Sequence, residues 1–195
     1  PKSKAQTLAD LKGKDIAVSS ATIIDFLLAQ LLQQEGAAPD FLNRQDIRQI
    51  PVRLQMLLSG QIESALLPEP LVSLVEAKGA RTILNDCKLN TPLAVIALKR
   101  DVLDAPDGAQ TVAKFREPSE KRRAHQRNPD AYRPIMEAKG LLPKGASANY
   151  TMVRFDMTHT PTGLPSEADI KTFADWMKAN RILKKDPAYG DVVFQ

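Results

Sequence analysis

The first hundred residues alternate short apolar runs with amphipathic stretches. Asp15–Val18 is an apolar run after the turn Lys12-Gly13-Lys14, a pattern typical of a β-strand. Beyond Ser19-Ser20-Ala21-Thr22, apolar residues recur at spacings of three and four: Ile24, Leu27, Leu28, Leu31 and Leu32. This spacing predicts a helix, and Gly36 is a natural terminator for it.

The same strand-then-helix order appears again further along the chain. Asp46–Ile50 predicts a second strand, and Pro51 suits the first turn of a helix that runs up to Gly60. The buried stripe of that helix is formed by Leu54, Leu57 and Leu58. Strand and helix signals therefore alternate at short intervals, as in α/β proteins.

A third unit begins at Ile62–Leu67, which predicts a strand that is apolar on both faces and therefore covered on both sides. The segment from Pro68 to Gly79 predicts a further helix with Leu71, Leu74 and Val75 on its apolar side. Ala80–Leu84 and Leu93–Leu98 predict two more strands. This order indicates an open, mostly parallel α/β sheet.

Helical patterns replace the alternation after Asp101. Three helices are predicted: Asp107–Gln126, Asp130–Lys139 and Ser166–Asn180. Ser166 is a suitable N-cap for the last one, and Trp176 is expected to pack in the core on its apolar side. Leu141–Pro165 predicts an irregular stretch, long enough to suggest that it wraps around something outside this chain.

Composition narrows the class of protein. The chain is 43% hydrophobic and 26% charged, and no apolar run approaches the roughly 18–20 residues that span a bilayer. A single cysteine, Cys87, excludes an internal disulfide and a multi-cysteine zinc site. The dense basic cluster Lys121-Arg122-Arg123 with Arg127 lacks the aromatic residues of a nucleic-acid surface. We interpret it as a solvated helix face and expect no nucleic-acid partner.

Catalytic motifs are absent from the sequence. His125 and His159 have neither metal-ligand spacing nor a nearby nucleophile motif, so we interpret both as surface residues. The chain holds no Gly-x-Ser-x-Gly elbow, no Walker loop and no Gly-x-Gly-x-x-Gly. We therefore expect no catalytic residue, no metal site and no cofactor.

Two segments at predicted strand ends are candidates for ligand binding. In the first, free N–H groups and small hydroxyls would accept a carboxylate, sulfonate or phosphate: Ser19, Ser20, Ala21 and Thr22. Simple N-capping explains these residues equally well. The second segment contains Pro68 and Glu69. Glu69 would either accept a hydrogen bond from a ligand amine or favour the helix N-terminus electrostatically.

Several segments, in order, resemble one protein family. Leu8–Val18 (LADLKGKDIAV) resembles the SLADLKGKKIAV segment of the nitrate/sulfonate/taurine-type substrate-binding proteins, which include carriers of thiamine pyrimidine precursors. Val52–Pro70 (VRLQMLLSGQIESALLPEP) resembles the family segment RLxxLxSGQVDAALLPEP. Shorter similarities follow at Asn128-Pro129-Asp130 and from Leu164 to Trp176. Together these segments cover nearly the whole chain.

The resemblance implies a type II-like periplasmic binding fold, in which two α/β lobes hold a ligand between them. The chain would contain one complete open α/β lobe plus the C-terminal helical part of a second lobe. Residues 14–95 would form the inserted lobe, and residues 1–13 and 96–195 the hinge and the returning part of the other lobe. The remainder of that lobe would precede Pro1. Ser19–Thr22 and Pro68-Glu69 would face the ligand.

The same resemblance implies the extracytoplasmic solute-binding component of an ABC importer, located in the periplasm or anchored as a cell-surface lipoprotein. It would close on a small solute, either anionic or pyrimidine-like, and deliver it to the membrane permease. One alternative is the ligand-sensing effector domain of a regulator, which requires a fused DNA-binding or signalling segment. Another is an enzyme like the pyrimidine synthase of thiamine biosynthesis. That enzyme relies on histidine- and cysteine-rich segments that this chain lacks.

Overall fold

The structure is a computed structural model and describes residues 3–86, 89, 98–116, 129–141 and 164–193. Several sequence-based predictions fall wholly or mostly outside these ranges. They concern the strand Leu93–Leu98, the basic cluster around Lys121, the stretch 142–163, and the side chains of Cys87, His125 and His159.

Three parallel strands form a sheet with the spatial order β2-β1-β3. They are β1 (Asp15–Val18), β2 (Asn43–Asp46) and β3 (Ser64–Ala65). Ile16 in the central strand pairs with Arg44 on one side and with Ser64 on the other. The strand order reverses between β1 and β3, and ligands of open α/β sheets bind at such a switch point, beyond the carboxyl ends of the strands.

A helix follows each strand. These helices are α1 (Ile23–Gln34), α2 (Ile50–Ser59) and α3 (Leu71–Ala77). Thr22 caps α1, because its Oγ1 accepts a hydrogen bond from the backbone N–H of Ile24 at 3.2 Å. Gly60 ends α2 in a left-handed conformation with φ 74°, which glycine adopts without strain. The three predicted helices are confirmed.

The second strand lies earlier than predicted. The prediction was Asp46–Ile50, whereas β2 is Asn43–Asp46 and Ile50 already begins α2. β2 is an edge of this three-stranded sheet and is mostly exposed, so its residues are polar and give no apolar signal. The apolar residues Ile47 and Ile50, which attracted the prediction, belong to the connection and the helix.

The other two strand predictions within the described residues also need correction. For Ile62–Leu67, only Ser64–Ala65 pairs with β1, and both residues are half-buried rather than covered on both sides. Ala80–Leu84 has no strand structure. The apolar residues of these segments instead contact the helices: Ile62, Ala65, Leu67 and Ala80 pack around α2 and α3.

The core lies on both faces of the central strand. Ile16 and Val18 project from one face and pack with Leu28 and Leu32 of α1. On the other face, Leu54 and Leu57 of α2 pack with Leu74 and Val75 of α3. The sheet therefore lies between α1 on one side and α2 with α3 on the other, as in open α/β folds.

The rest of the described chain is helical. The elements are α4 (Arg100–Leu103), α5 (Gly108–Arg116), α6 (Arg133–Ala138), α7 (Glu167–Ala179) and α8 (Tyr189–Val192). The predicted helix Asp130–Lys139 is divided into a 3-10 turn, Pro129–Tyr132, and α6. Ser166 caps α7 as predicted, within a capping box that includes Asp169. Within the described ranges, no helix combines the length and hydropathy needed to cross a bilayer.

An aromatic contact joins α7 to α1. Phe26 of α1 is 0% exposed, and its ring centroid lies 4.3 Å from that of Phe173. Trp176 meets the same ring edge-on, with centroids 5.5 Å apart and an interplanar angle of 81°. The predicted packing of Trp176 is confirmed, and the C-terminal helix packs against the first helix of the sheet. The lobe boundary at residue 95 stays a prediction.

Candidate ligand-binding site

The loop after β1 is tied to the loop after β2. Ser19 is 8% exposed, and its Oγ donates to the carbonyl oxygen of Arg48 at 3.4 Å. Thr22 Oγ1 donates to the carbonyl oxygen of Ser19 at 2.6 Å while capping α1. The two hydroxyls therefore hold the carboxyl edge of the sheet, which we define as the loops that follow β1, β2 and β3.

Two protein carboxylates occupy backbone amides that the sequence-based hypothesis counted as free. The N–H of Ser20 donates to Asp46 Oδ1 at 2.9 Å, and that of Ala21 donates to Asp25 Oδ2 at 3.1 Å. Ala21 has φ 59°, a left-handed conformation that is uncommon outside glycine. An anionic ligand would have to displace a carboxylate to reach either amide. The binding role of Ser19–Thr22 stays a prediction, and N-capping accounts for Thr22.

Each of these carboxylates is also bound by an arginine. Arg44 Nε donates to Asp25 Oδ1 at 2.8 Å, and Arg48 Nε donates to Asp46 Oδ2 at 3.0 Å. The N–H of Ser20 and, after it, the Arg48 guanidinium lower the pKa of Asp46 from its ordinary value. The charges of the β1 and β2 loops are thus compensated in pairs.

The end of β3 is connected to α3. Glu69 Oε2 accepts hydrogen bonds from the backbone N–H of Ser73 at 3.2 Å and from its Oγ at 3.0 Å. Ser73 is buried in α3, so the Glu69 carboxylate stabilises the start of this helix. Pro68 is exposed beside it. Of the two roles considered for Glu69, the helix-stabilising one is observed, and ligand contact stays a prediction.

Sequence reasoning missed Arg53, the most unusual side chain near this edge. It is 0% exposed and lies on the face of α2 that carries Leu54 and Leu57. Among the described residues, none accepts a hydrogen bond from its Nε, Nη1 or Nη2. Burial lowers the pKa of the guanidinium, and the negative charge of Asp46 opposes this shift. The available signal was a cation placed directly before Leu54 on an apolar stripe.

Arg53 lies in the first turn of α2, and α2 starts beyond the carboxyl end of β2. Side chains on a helix lean toward its N-terminus, so this guanidinium is directed toward the carboxyl edge. Gln49, the N-cap residue, makes no side-chain capping bond. No cluster of three or more metal-ligating side chains occurs in the described ranges. The chemistry available at this edge is therefore hydrogen bonding and charge.

Comparison with known proteins gives matches only among solved structures, since no family model and no curated protein matches the chain. The periplasmic aliphatic sulphonate binding protein SsuA from Escherichia coli matches with a TM-score of 0.69 and 20% identity, covering 98% of this chain and 66% of that one. The alkanesulfonate-binding protein SsuA from Xanthomonas axonopodis pv. citri, bound to MOPS, matches with a TM-score of 0.62 and 24% identity. That match covers 95% of this chain and 64% of the other.

The chain spans slightly less than two thirds of the length of either structure. At these identities the similarity establishes the fold, and function has to be argued separately. It confirms the predicted fold class, an open α/β lobe followed by a helical C-terminal part. This chain therefore has the type II-like fold of periplasmic binding proteins.

Proposed function

We propose that this protein is the solute-binding component of an ABC importer. The observation that carries the proposal is the match of 98% of the chain, with a TM-score of 0.69, to a periplasmic sulphonate-binding protein. The second matching protein is also an alkanesulfonate-binding protein, and its ligand is MOPS. An exported location follows from the same role.

The carboxyl edge of the sheet would form one wall of the binding cleft. The loops after β1 and β3 flank the switch point of the β2-β1-β3 order, where open sheets bind ligands. Ser19–Thr22 and Pro68-Glu69 belong to these two loops. The solute, either an anion or a pyrimidine-like compound, would contact these loops on one side and the second lobe on the other.

Transport follows from a difference in affinity between two conformations. A solute that contacts both lobes only in the closed form shifts the population toward closure about the hinge. The membrane permease would then bind the closed form in preference to the open one. No covalent step is needed, so the protein needs shape and hydrogen bonding rather than a catalytic group.

Isothermal titration calorimetry on the full-length protein that contains residues 1–195 tests the proposal. The panel consists of aliphatic sulfonates with taurine and MOPS, nitrate, hydroxymethylpyrimidine and amino acids. We expect saturable 1:1 binding of at least one solute, accompanied by a smaller radius of gyration in X-ray scattering. Absence of any saturable binder in this panel would contradict the proposed role.

A matched pair of variants places the site on the sheet. Glu69→Gln removes a carboxylate at the carboxyl edge, whereas Glu63→Gln removes one just before β3, where it lies 3.9 Å from Lys14 Nζ. If the edge binds the solute, Glu69→Gln changes the Kd and Glu63→Gln leaves it unchanged. Equal effects of the two variants would argue against this wall of the cleft.

A further inference from the structure

Arg53 is a buried cation whose hydrogen-bond acceptors are missing from the described part of the chain. Its side chain is 0% exposed, and none of its three nitrogens has a hydrogen-bond partner there. A guanidinium carries five N–H donors and remains protonated at neutral pH, even with a lowered pKa. Burying such a charge without an acceptor is strongly unfavourable. The functioning protein must therefore supply an acceptor for Arg53.

The carboxylates near Arg53 are already engaged. Asp46 acts on Arg53 electrostatically, but its Oδ1 accepts from Ser20 and its Oδ2 accepts from Arg48. Asp25 is bound by Arg44 and by the N–H of Ala21. Each of these two carboxylates thus has an arginine of its own. Arg53 is a third arginine, and neither carboxylate hydrogen-bonds to it.

The position of Arg53 favours an anion that enters from the carboxyl edge. Leu54 and Leu57 form the apolar floor behind it, so the acceptor has to come from the N-terminal side of α2. The N-terminus of a ten-residue helix carries partial positive charge, and no side chain caps this one. Helix charge and guanidinium therefore attract the same kind of group, which is an oxyanion.

We propose that Arg53 binds the acidic group of an organic anion, with a sulfonate as the first candidate, at the N-terminus of α2. This inference rests on the proposed importer role and deepens it by naming the solute class and the residue that selects it. The planar guanidinium donates two parallel hydrogen bonds to an oxyanion, a geometry that lysine does not reproduce. Because Arg53 has no exposed surface, the covering loops must part before the anion reaches it.

The test is calorimetry on the full-length protein with ethanesulfonate, taurine and MOPS, and with diethyl sulfone as an uncharged probe. Arg53→Met and Arg53→Lys are compared with Arg81→Met, which removes the same charge from an exposed arginine whose Nη1 donates to Ala5. We expect Arg53→Met to weaken sulfonate binding about 30-fold or more. Arg53→Lys should fold and bind measurably more weakly than the wild type, and Arg81→Met should stay within about twofold.

Thermal unfolding without ligand separates binding from a structural role. Under this proposal, unliganded Arg53→Met is at least as stable as the wild type, because an apolar side chain replaces an unpaired buried charge. A large loss of stability in that variant, with unchanged sulfonate affinity in Arg53→Lys, would show that another part of the protein supplies the acceptor. That result would overturn the inference.

The two proposals also fail in different ways. If a neutral solute such as hydroxymethylpyrimidine binds wild type and Arg53→Met equally, the importer role stands and the anion inference is wrong. If the wild type binds none of the panel, the importer role itself is contradicted. Sulfonate binding that is lost in Arg53→Met and retained in Arg81→Met supports both.

Discussion

Truncating Phe26 and Phe173, singly and together, tests the aromatic contact that joins α7 to α1. The Phe26 ring is 0% exposed and packs against Phe173 at 4.3 Å and against Trp176 at 5.5 Å. Trp176 is the only tryptophan in the 195 residues, and both substitutions leave it in place. Its fluorescence therefore reports on α7 directly.

The expected magnitudes follow from the burial of each ring. Phe26→Ala should lower the free energy of unfolding by about 3–5 kcal/mol, because it leaves a cavity in a closed site. For a domain of this size such a loss corresponds to a fall in Tm of about 10 °C. Phe173 is half-buried, so Phe173→Ala should cost less. The double mutant should show a coupling of about 0.5–1.5 kcal/mol, the energy of an aromatic pair beyond its buried area.

Urea denaturation, followed in parallel by Trp176 fluorescence and far-ultraviolet circular dichroism, measures these quantities. The control is Ile135→Ala on α6, where the side chain is 54% exposed and truncation should change stability by about 0.5 kcal/mol or less. If Phe26→Ala is no more destabilising than this control, or the coupling is zero, α7 does not lie on α1 as described.

Three further substitutions test local features. Ser166→Ala should lower the free energy of unfolding by about 1 kcal/mol in urea titrations, because α7 loses the cap made by Ser166 Oγ and the N–H of Asp169. Gly60→Ala should cost about 1–2 kcal/mol, measured the same way, because alanine disfavours the left-handed φ of 74° at this position. Asp46→Asn should change the pH dependence of stability. The folded pKa of Asp46 is depressed, so its contribution is present above the ordinary carboxyl pKa and is lost as the pH falls through the folded value. The wild type should therefore lose more stability than Asp46→Asn between about pH 5 and pH 2.

Each of these has its own control. Ser166→Thr should retain most of the cap, and Gly60→Asn should cost less than Gly60→Ala, since asparagine tolerates the left-handed region. For the acid titration, Asp40→Asn removes an exposed carboxylate for which no pKa shift is resolved. Equal acid sensitivity of wild type and Asp46→Asn would contradict the hydrogen bond from Ser20.

Periodicity predicted the elements whose pattern is local. β1 and α1 were found because Ile16 and Val18 lie on one face of the strand and meet Leu28 and Leu32, which lie four residues apart on the helix. β2 was misplaced because Asn43–Asp46 is an exposed edge strand, whose polar residues carry no apolar alternation. Its position is set by the hydrogen-bond ladder with β1, which sequence spacing does not reveal.

The candidate site was predicted in outline only. The sequence indicated the strand ends at Ser19 and Glu69, because ligand sites of α/β sheets lie there. It did not reveal that Asp46, 26 positions along the chain, accepts from the amide of Ser20. It likewise gave no sign that Arg53 has no acceptor among the described residues. Both facts depend on side chains that only the fold brings together.

A crystal structure of the full-length protein with its tightest-binding solute tests the central claim most directly. The account predicts a solute between two lobes at the carboxyl edge of the β2-β1-β3 sheet. An acidic group should lie about 2.7–2.9 Å from the Arg53 guanidinium. A solute bound away from this edge, or an Arg53 paired with a carboxylate from elsewhere in the protein, would contradict it.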